Sequence, residues 1–422
     1  MTVADQAAKI LHPSEPRTVL FVSIGFTGIG LSGGDIAWLK LAIRLLSEGR
    51  NIVVFTSEDG KTAFTKYGLT NAEYVLVDSG RRFRPPNGLL AIFESARRGL
   101  VASLKLRNFC IPRDGLVIGS SDLLHEVLPL ACIGENSHTI IASIFHMVYP
   151  ISRVHSKLAR GDNLASRMIM HLQQLVSIYI VKRSCDFVIA HLNTVEPLIR
   201  MGVQPSRIMP FPLQLVNVEQ ERTPPSSGRP KFDAYWVGRY SRRKGFEDAL
   251  AIWKEVQRAR PQSSLAIIGG VANNSYAMKL LAHSNLRNVE VFGFLPESEK
   301  RNVMKNCRVL LHTSYFEGVP TTAWEAMACG VPIVCYDFPF NDGLKGVIRV
   351  SATNLAAFAG ACLRVLDDPS VYSELKKNLS TYVQREDAQT FKDTVLQAYL
   401  RARGNTQSPQ TPEHSGRSGS PT

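Results

Sequence analysis

Short runs that are apolar at nearly every position recur along the first half of the chain. They fall at Thr18–Ile24, Ile52–Phe55, Tyr74–Val77, Leu116–Ile118, Thr139–Phe145 and Phe187–Ala190. Stretches of helical period lie between them, notably Leu164–Arg183. Such runs suit strands buried on both faces, and strands alternating with helices imply a parallel, doubly wound sheet. Residues 218–230, VEQERTPPSSGRP, interrupt the pattern with polar, proline-rich sequence and read as an interdomain linker. The alternation restarts with five strand candidates at Phe232–Val237, Leu265–Ile268, Val289–Phe292, Val309–Leu311 and Ile333–Cys335. The expected fold is α/β, with doubly wound domains at 18–217 and 231–385. A flexible 1–17, a helix at 386–403 and a disordered tail at 404–422 flank them.

At 422 residues, 45% hydrophobic and 20% charged, the chain is long enough for two cores. Seven scattered cysteines with no CxxC pair read as buried thiols in a reducing compartment. Residues 1–17 lack an apolar leader core, and no apolar run approaches the ~18 residues of a membrane span. A cytoplasmic location is expected. The net charge of +13 concentrates in residues 81–113, where Arg81, Arg82, Arg84, Arg97, Arg98, Lys105, Arg107 and Arg113 face only Glu94. Within it GLLAIFESARRGLVASLKLRNF mixes apolar and basic positions, which reads either as a helix on an anionic membrane surface or as a solvated basic face. Nucleic acid is not an expected partner, because neither interleaved aromatics nor a known module accompanies the charge.

The densest chemistry lies in SYFEGVPTTAWEAMACGVP, Ser314–Pro332, which sets Glu317 and Glu325 on either side of a loop-to-helix junction. Val309–Leu311 reads as a buried strand ending near Ser314, and Gly318 and Pro320 favour a helix starting at Pro320 or Thr321 and running to Gly330. A diphosphate could sit over Gly318, Val319, Pro320, Thr321 and Thr322, drawn by the free N–H groups of the helix start, to which Pro320 itself contributes none. Carboxylates repel phosphate, so Glu317 and Glu325 suit hydroxyls at the two ends of such a ligand. The plainer alternative is a loop charge and a helix-start charge. In the second domain, VGRYSRRKG places Gly238, Arg239 and Lys244 at a strand end, where a parallel sheet binds ligands. A forked guanidinium and a mobile ammonium together neutralise a leaving diphosphate. Arg242 and Arg243 read as surface cations.

VGRYSRRKGFEDAL, then IIGG, then VFGFLP, then EGVPTTAWEAMACGVP, in this order over residues 231–340, resemble the retaining glycosyltransferases of family four. The resemblance implies two facing Rossmann-like domains with a cleft between them, a nucleotide-diphosphate sugar as donor, and transfer with retention to an acceptor glycan, glycolipid or small metabolite. It further implies that Arg239 and Lys244 hold the diphosphate, Glu317 the donor sugar and Glu325 the ribose. Gly318–Thr321 would give backbone contacts, Gly293, Phe294 and Leu295 would lie at the base, and Gly269 and Gly270 beneath the donor.

In the first half, Gly33 and Gly34 with Asp35 look like the family's glycine loop, and His146 like the histidine lining its centre; a structural histidine is the alternative. Asp122 and Asn193 read as turn or cap residues. The chain departs from the family at Val319–Pro320, where EGFG is common, and at MPFPLQLVN, where a proline-asparagine-glycine-valine turn is common. No DxD triplet stands at a strand end, so no metal and no cofactor is expected beyond the donor. The rival readings are a nucleotide-sugar epimerase or inverting transferase, a non-catalytic donor-binding subunit, and a dinucleotide oxidoreductase. The last is disfavoured because GFTGIG is not GxGxxG.

Overall fold

The structure, a computed structural model, describes residues 15–24, 31, 33–77, 89–112, 114–133, 139–146, 148, 164–211, 230–270, 275–380 and 388–404. Gly25, Gly28 and Gly30, Arg81, Arg82, Arg84 and Arg113, nearly all of the 218–230 linker, the turn after Phe211 and the tail beyond Gly404 lie outside them.

The first half is a seven-stranded sheet of β1 (Thr18–Val22), β2 (Asn51–Thr56), β3 (Glu73–Leu76), β4 (Leu116–Gly119), β5 (Ile140–Phe145), β6 (Phe187–His191) and β7 (Ile208–Phe211). Their spatial order is β3-β2-β1-β4-β5-β6-β7, with every neighbour pair parallel. Alternate side chains point to opposite faces. Val19 and Phe21 join one core with Trp38, Leu41 and Leu45 of α1 (Gly33–Ser47), while Leu20 and Val22 join the other. The first face also packs Phe64 of α2 (Glu58–Lys66) edge-on against Trp38, ring centroids 4.8 Å apart. The second is covered by α3 (Leu89–Arg107) and α4 (Leu164–Ser184), through Ala102, Leu106, Ile178 and Val181.

The second half is a six-stranded sheet of β8 (Phe232–Val237), β9 (Leu265–Ile268), β10 (Val289–Gly293), β11 (Cys307–His312), β12 (Ile333–Tyr336) and β13 (Val347–Val350). It is parallel throughout, in the order β10-β9-β8-β11-β12-β13. Flanking it are α5 (Phe246–Ala259), α6 (Glu297–Lys305), α7 (Thr321–Ala328) and α8 (Leu355–Asp367). Phe246 and Trp253 of α5 and Phe358 and Val365 of α8 fill one core, and Trp324 and Met327 of α7 fill the other.

Two strands depart from the sequence expectation, β7 and β13. Both sit at a sheet edge, where Pro210 in β7 leaves no ladder donor missing and the partly polar VIRV of β13 needs burial on fewer sides. The last helix, α9 (Ala388–Ala402), belongs to the first domain's packing. Its Phe391, Val395 and Tyr399 enter the core around Trp38, the Tyr399 hydroxyl donates to Asp114 O at 3.1 Å, and Lys392 pairs with Glu48 at 2.8 Å.

Each sheet reverses its winding once, between β1 and β4 and between β8 and β11. Doubly wound sheets bind ligands outside the carboxyl ends of the strands at that switch point. The first switch point carries the glycine loop and Ser120, and the second carries Gly238–Lys244 and Thr313–Glu317.

Candidate active site

The second sheet builds one wall of the site from backbone brought unusually close. Gly269 has φ +100°, and a Cβ there would lie 2.6 Å from Gly238 O. Gly270 has φ +68°, with the Tyr240 ring where its Cβ would go. Only glycine fits both conditions. Gly238 N bonds Ile268 O at 3.0 Å and Gly269 N bonds Gly293 O at 2.6 Å, so the ends of β8, β9 and β10 form one layer.

Above that layer Thr313 locks the cationic loop. Its hydroxyl accepts from Trp236 Nε1 at 3.0 Å and donates to the carbonyls of Lys244 and Gly245 at 3.1 and 2.9 Å. Tyr315 N donates to Arg243 O at 2.9 Å. Laced in this way, the loops after β8 and β11 bring Lys244 Nζ to 2.5 Å from Glu317 Oε1. Burial would raise the Glu317 carboxyl, but Lys244, His312 and Arg243 together hold it below its ordinary value. Burial lowers the Lys244 ammonium against the pull of Glu317, with Arg243 and Arg239 adding to the lowering. Arg239 itself is exposed at the rim. Arg242 is a surface cation paired with Glu247, as expected, whereas Arg243 is half-buried and acts on Glu317.

Pro320 caps α7, accepting from Ala323 N at 2.8 Å, so the helix opens at Thr321 with Gly318 and Val319 just before it. Glu325 lies in its second turn, buried, with Oε1 2.9 Å from Lys300 Nζ; Lys300 also reaches Glu297 at 2.9 Å. Burial raises the Glu325 carboxyl, and Lys300 opposes this. Lys300 had no distinguishing mark in the sequence. Its pairing with Glu325 spans 25 positions, and the only signal was a lysine at the start of a helix that follows the Phe294–Leu295 turn. In that turn Phe294 is 54% exposed and Leu295 half-buried against the α7 core.

The first sheet supplies the facing wall. His146 follows β5 and sets Nε2 2.9 Å from Ser120 O and Nδ1 3.3 Å from His191 Nε2. A Cβ on Gly34 would lie 2.8 Å from His146 Nε2, so the start of α1 rests on this histidine. Gly33 is the first residue of α1. Asp122 stands in the bend after β4, as expected, but does more than turn the chain. It is buried, accepts from Gln174 Nε2 at 2.9 Å and from the His146 backbone, and burial raises its carboxyl. Asn193 stands in the first turn of the helix Leu192–Arg200. Glu126, also unmarked in the sequence, accepts from Ile24 N at 3.0 Å and Ser120 Oγ at 2.8 Å and so ties the ends of β1 and β4 together. The charge of Lys40 on α1 is felt at Glu325, and Tyr67, which ends α2, feels Glu297, Lys300 and Glu325. Both domains therefore contribute to the field at that carboxylate.

Paired doubly wound domains with glycine-lined switch points are the GT-B fold, and solved structures agree. Sucrose-phosphate synthase from Thermosynechococcus elongatus superposes with TM-score 0.71 at 18% identity, covering 92% of this chain and 100% of that one. Anabaena HepE, in complex with UDP and glucose, gives 0.69 at 15% identity over 91% and 99%. Residues 218–385, the second domain, match the family described as glycosyl transferases group 1. Glycogen synthase of Mycobacterium tuberculosis is 26% identical over 203 residues, 46% of this chain. One component of the Arabidopsis thaliana phosphatidylinositol N-acetylglucosaminyltransferase is 23% identical over 325 residues, 76% of this chain and 67% of that one. The match spans about half the length, 49%, of the glycogen synthase.

Proposed function

We propose that the protein transfers a sugar from a nucleotide-diphosphate sugar to an acceptor hydroxyl with retention of configuration, in the building of a polysaccharide, glycolipid or other glycoconjugate. The observation that carries this reading is a pair of buried ion pairs, Lys244–Glu317 and Lys300–Glu325, at the two ends of the loop-to-helix segment Glu317–Glu325, in the domain that matches the glycosyltransferase family. The donor diphosphate lies between Arg239, Lys244 and the start of α7, its sugar on Glu317 and its ribose on Glu325. The bond from the anomeric carbon to the diphosphate breaks, and a bond to the acceptor oxygen forms on the same face. The acceptor proton passes to the departing phosphate oxygen. Arg239 and Lys244 take up the leaving charge, a role that does not require a metal ion. His146 lines the catalytic centre, and Gly33 and Gly34 face the donor phosphates across the cleft.

Peripheral attachment to an anionic membrane surface through the basic segment 81–113 belongs to the same proposal, as does a cytoplasmic location, in keeping with seven free thiols of which only Cys110 and Cys132 are exposed. Among the described residues no helix is long and apolar enough to cross a membrane.

The test is thermal shift with uridine, guanosine and adenosine diphosphates and their sugar conjugates, repeated with Glu325→Ala. One nucleotide class should raise the melting temperature; at about 100 times its Kd a ligand adds ~2.7 kcal/mol. The variant should lose that response. No response to any of them would overturn the reading, and stabilisation without turnover, both with chelator and with added divalent metal, would favour a donor-binding subunit.

A further inference from the structure

Resting on that reading, we infer that attachment uses two helices rather than one: the outward faces of α3 and α4 form a single docking surface for an anionic lipid bilayer. On α3, Phe93, Leu100 and Leu104 are 57–68% exposed and recur at spacings of seven and four, which places them on one stripe. On α4, Met168, Leu172, Leu175, Val176 and Tyr179 are 41–59% exposed and follow the same periodicity. These make up eight of the twelve exposed large apolar side chains among the described residues, so the apolar exposure is gathered and not scattered. The helices touch each other and both pack on Leu124–Cys132, which sets their outer faces side by side. The inner face of α4 lies directly behind the site, because Gln174 is the donor to Asp122 beside His146.

Charge identifies the occupant. Arg97 lies on the α3 stripe, half exposed, and Lys105 and Arg107 end the helix. Lys182 and Arg183 end α4, where the Arg183 guanidinium stacks on Tyr179 at 4.6 Å from its centroid. Glu94 is the one acid on α3, already engaged by Arg97 and Arg98, and α4 has none. Apolar side chains ringed by long cations match acyl chains beneath anionic headgroups. A second copy of the chain would bring the same positive face against itself.

The experiment is co-sedimentation of the full-length protein with vesicles of phosphatidylcholine alone or mixed with phosphatidylglycerol. The wild type is compared with Leu100→Glu/Leu172→Glu and with Lys182→Glu/Arg183→Glu. The wild type should partition to the anionic vesicles, and each double variant should lose at least about tenfold in partitioning, since each cation near such a surface contributes about 1 kcal/mol. Unchanged melting temperatures and nucleotide responses in the variants would show that fold and donor site are intact. Equal recovery of wild type and variants would overturn the inference. So would a wild-type dimer in light scattering that Leu100→Glu/Leu172→Glu converts to monomer without affecting vesicle recovery. Loss of nucleotide response with vesicle binding intact would count against the transferase reading alone.

Discussion

The ammonium of Lys244 sits 2.5 Å from the carboxylate of Glu317, and the two residues come from different loops, one after β8 and one after β11. The pair is a structural clamp and, in the proposed reaction, the contact between diphosphate and sugar. Those roles separate by mutation. Lys244→Met should cost about 3–5 kcal/mol of stability, because Glu317 would be left buried without its partner. Adding Glu317→Gln should restore much of this in urea melts, yet turnover should stay down at least tenfold, ~1.4 kcal/mol, in both proteins. Exposed Arg239 provides the contrast. Arg239→Ala should leave stability within about 0.5 kcal/mol and still depress turnover tenfold or more, ~1.4 kcal/mol. Wild-type rates in either cationic variant would refute the assignment.

In the proposed reaction Glu325 binds the ribose and takes no part in the chemical step. In Glu325→Ala, Lys300 keeps Glu297 as a partner, so the helix ends stay neutralised. Affinity for the nucleoside diphosphate should fall about tenfold and KM for the donor rise, with kcat changed far less. Calorimetric titration alongside steady-state kinetics checks this, and a drop in kcat at constant KM would count against it.

Gly269 and Gly330 both have positive φ, but only Gly269 faces backbone. Gly330→Ala has nothing within 4 Å of the added methyl and should cost only the left-handed strain, about 1–2 kcal/mol. Gly269→Ala must also displace Gly238 O and should cost more, while weakening nucleotide binding through the β8–β10 layer. Paired denaturation curves, with and without nucleotide, read both effects.

His312 is buried beneath the Lys244–Glu317 pair, and burial, opposed by Glu317, holds its imidazole down to about 4. An unfolded chain takes up that proton near about pH 6.5. The folded value is the lower one, so this stability is complete above about pH 6.5 and is lost as pH falls toward about 4, at up to ~1.4 kcal/mol per unit. His191 is lowered in the same way and adds to the slope. Urea melts at about pH 7 and about pH 5 should show the loss, and His312→Gln should show less of it. An identical slope in the variant would sink the attribution.

Strands such as β1 and β11 were legible because burial on both faces leaves their central positions, Val19–Val22 and Val309–Leu311, uniformly apolar. The glycines and cations of the site were legible because they stand at strand ends. What escaped depended on partners distant in sequence. ESEKRNVMK reads as a solvated helix until Glu325 is folded onto Lys300. Asp122 in GSSDLL has the composition of a turn, and only Gln174, 52 positions on, shows it to be part of the wall behind His146. Arg243 and Arg242 are neighbours of the same type, separated only by which one the Thr313–Tyr315 loop draws inward.

The placement of α9 also bears on how the polypeptide is made. The first sheet is synthesised long before Phe391, Val395 and Tyr399, which complete the core around Trp38. The whole second domain is translated in between, on the order of ten to thirty seconds at ~5–20 residues per second. During that interval the nascent first domain lacks these three side chains, and its core around Trp38 closes only when α9 docks.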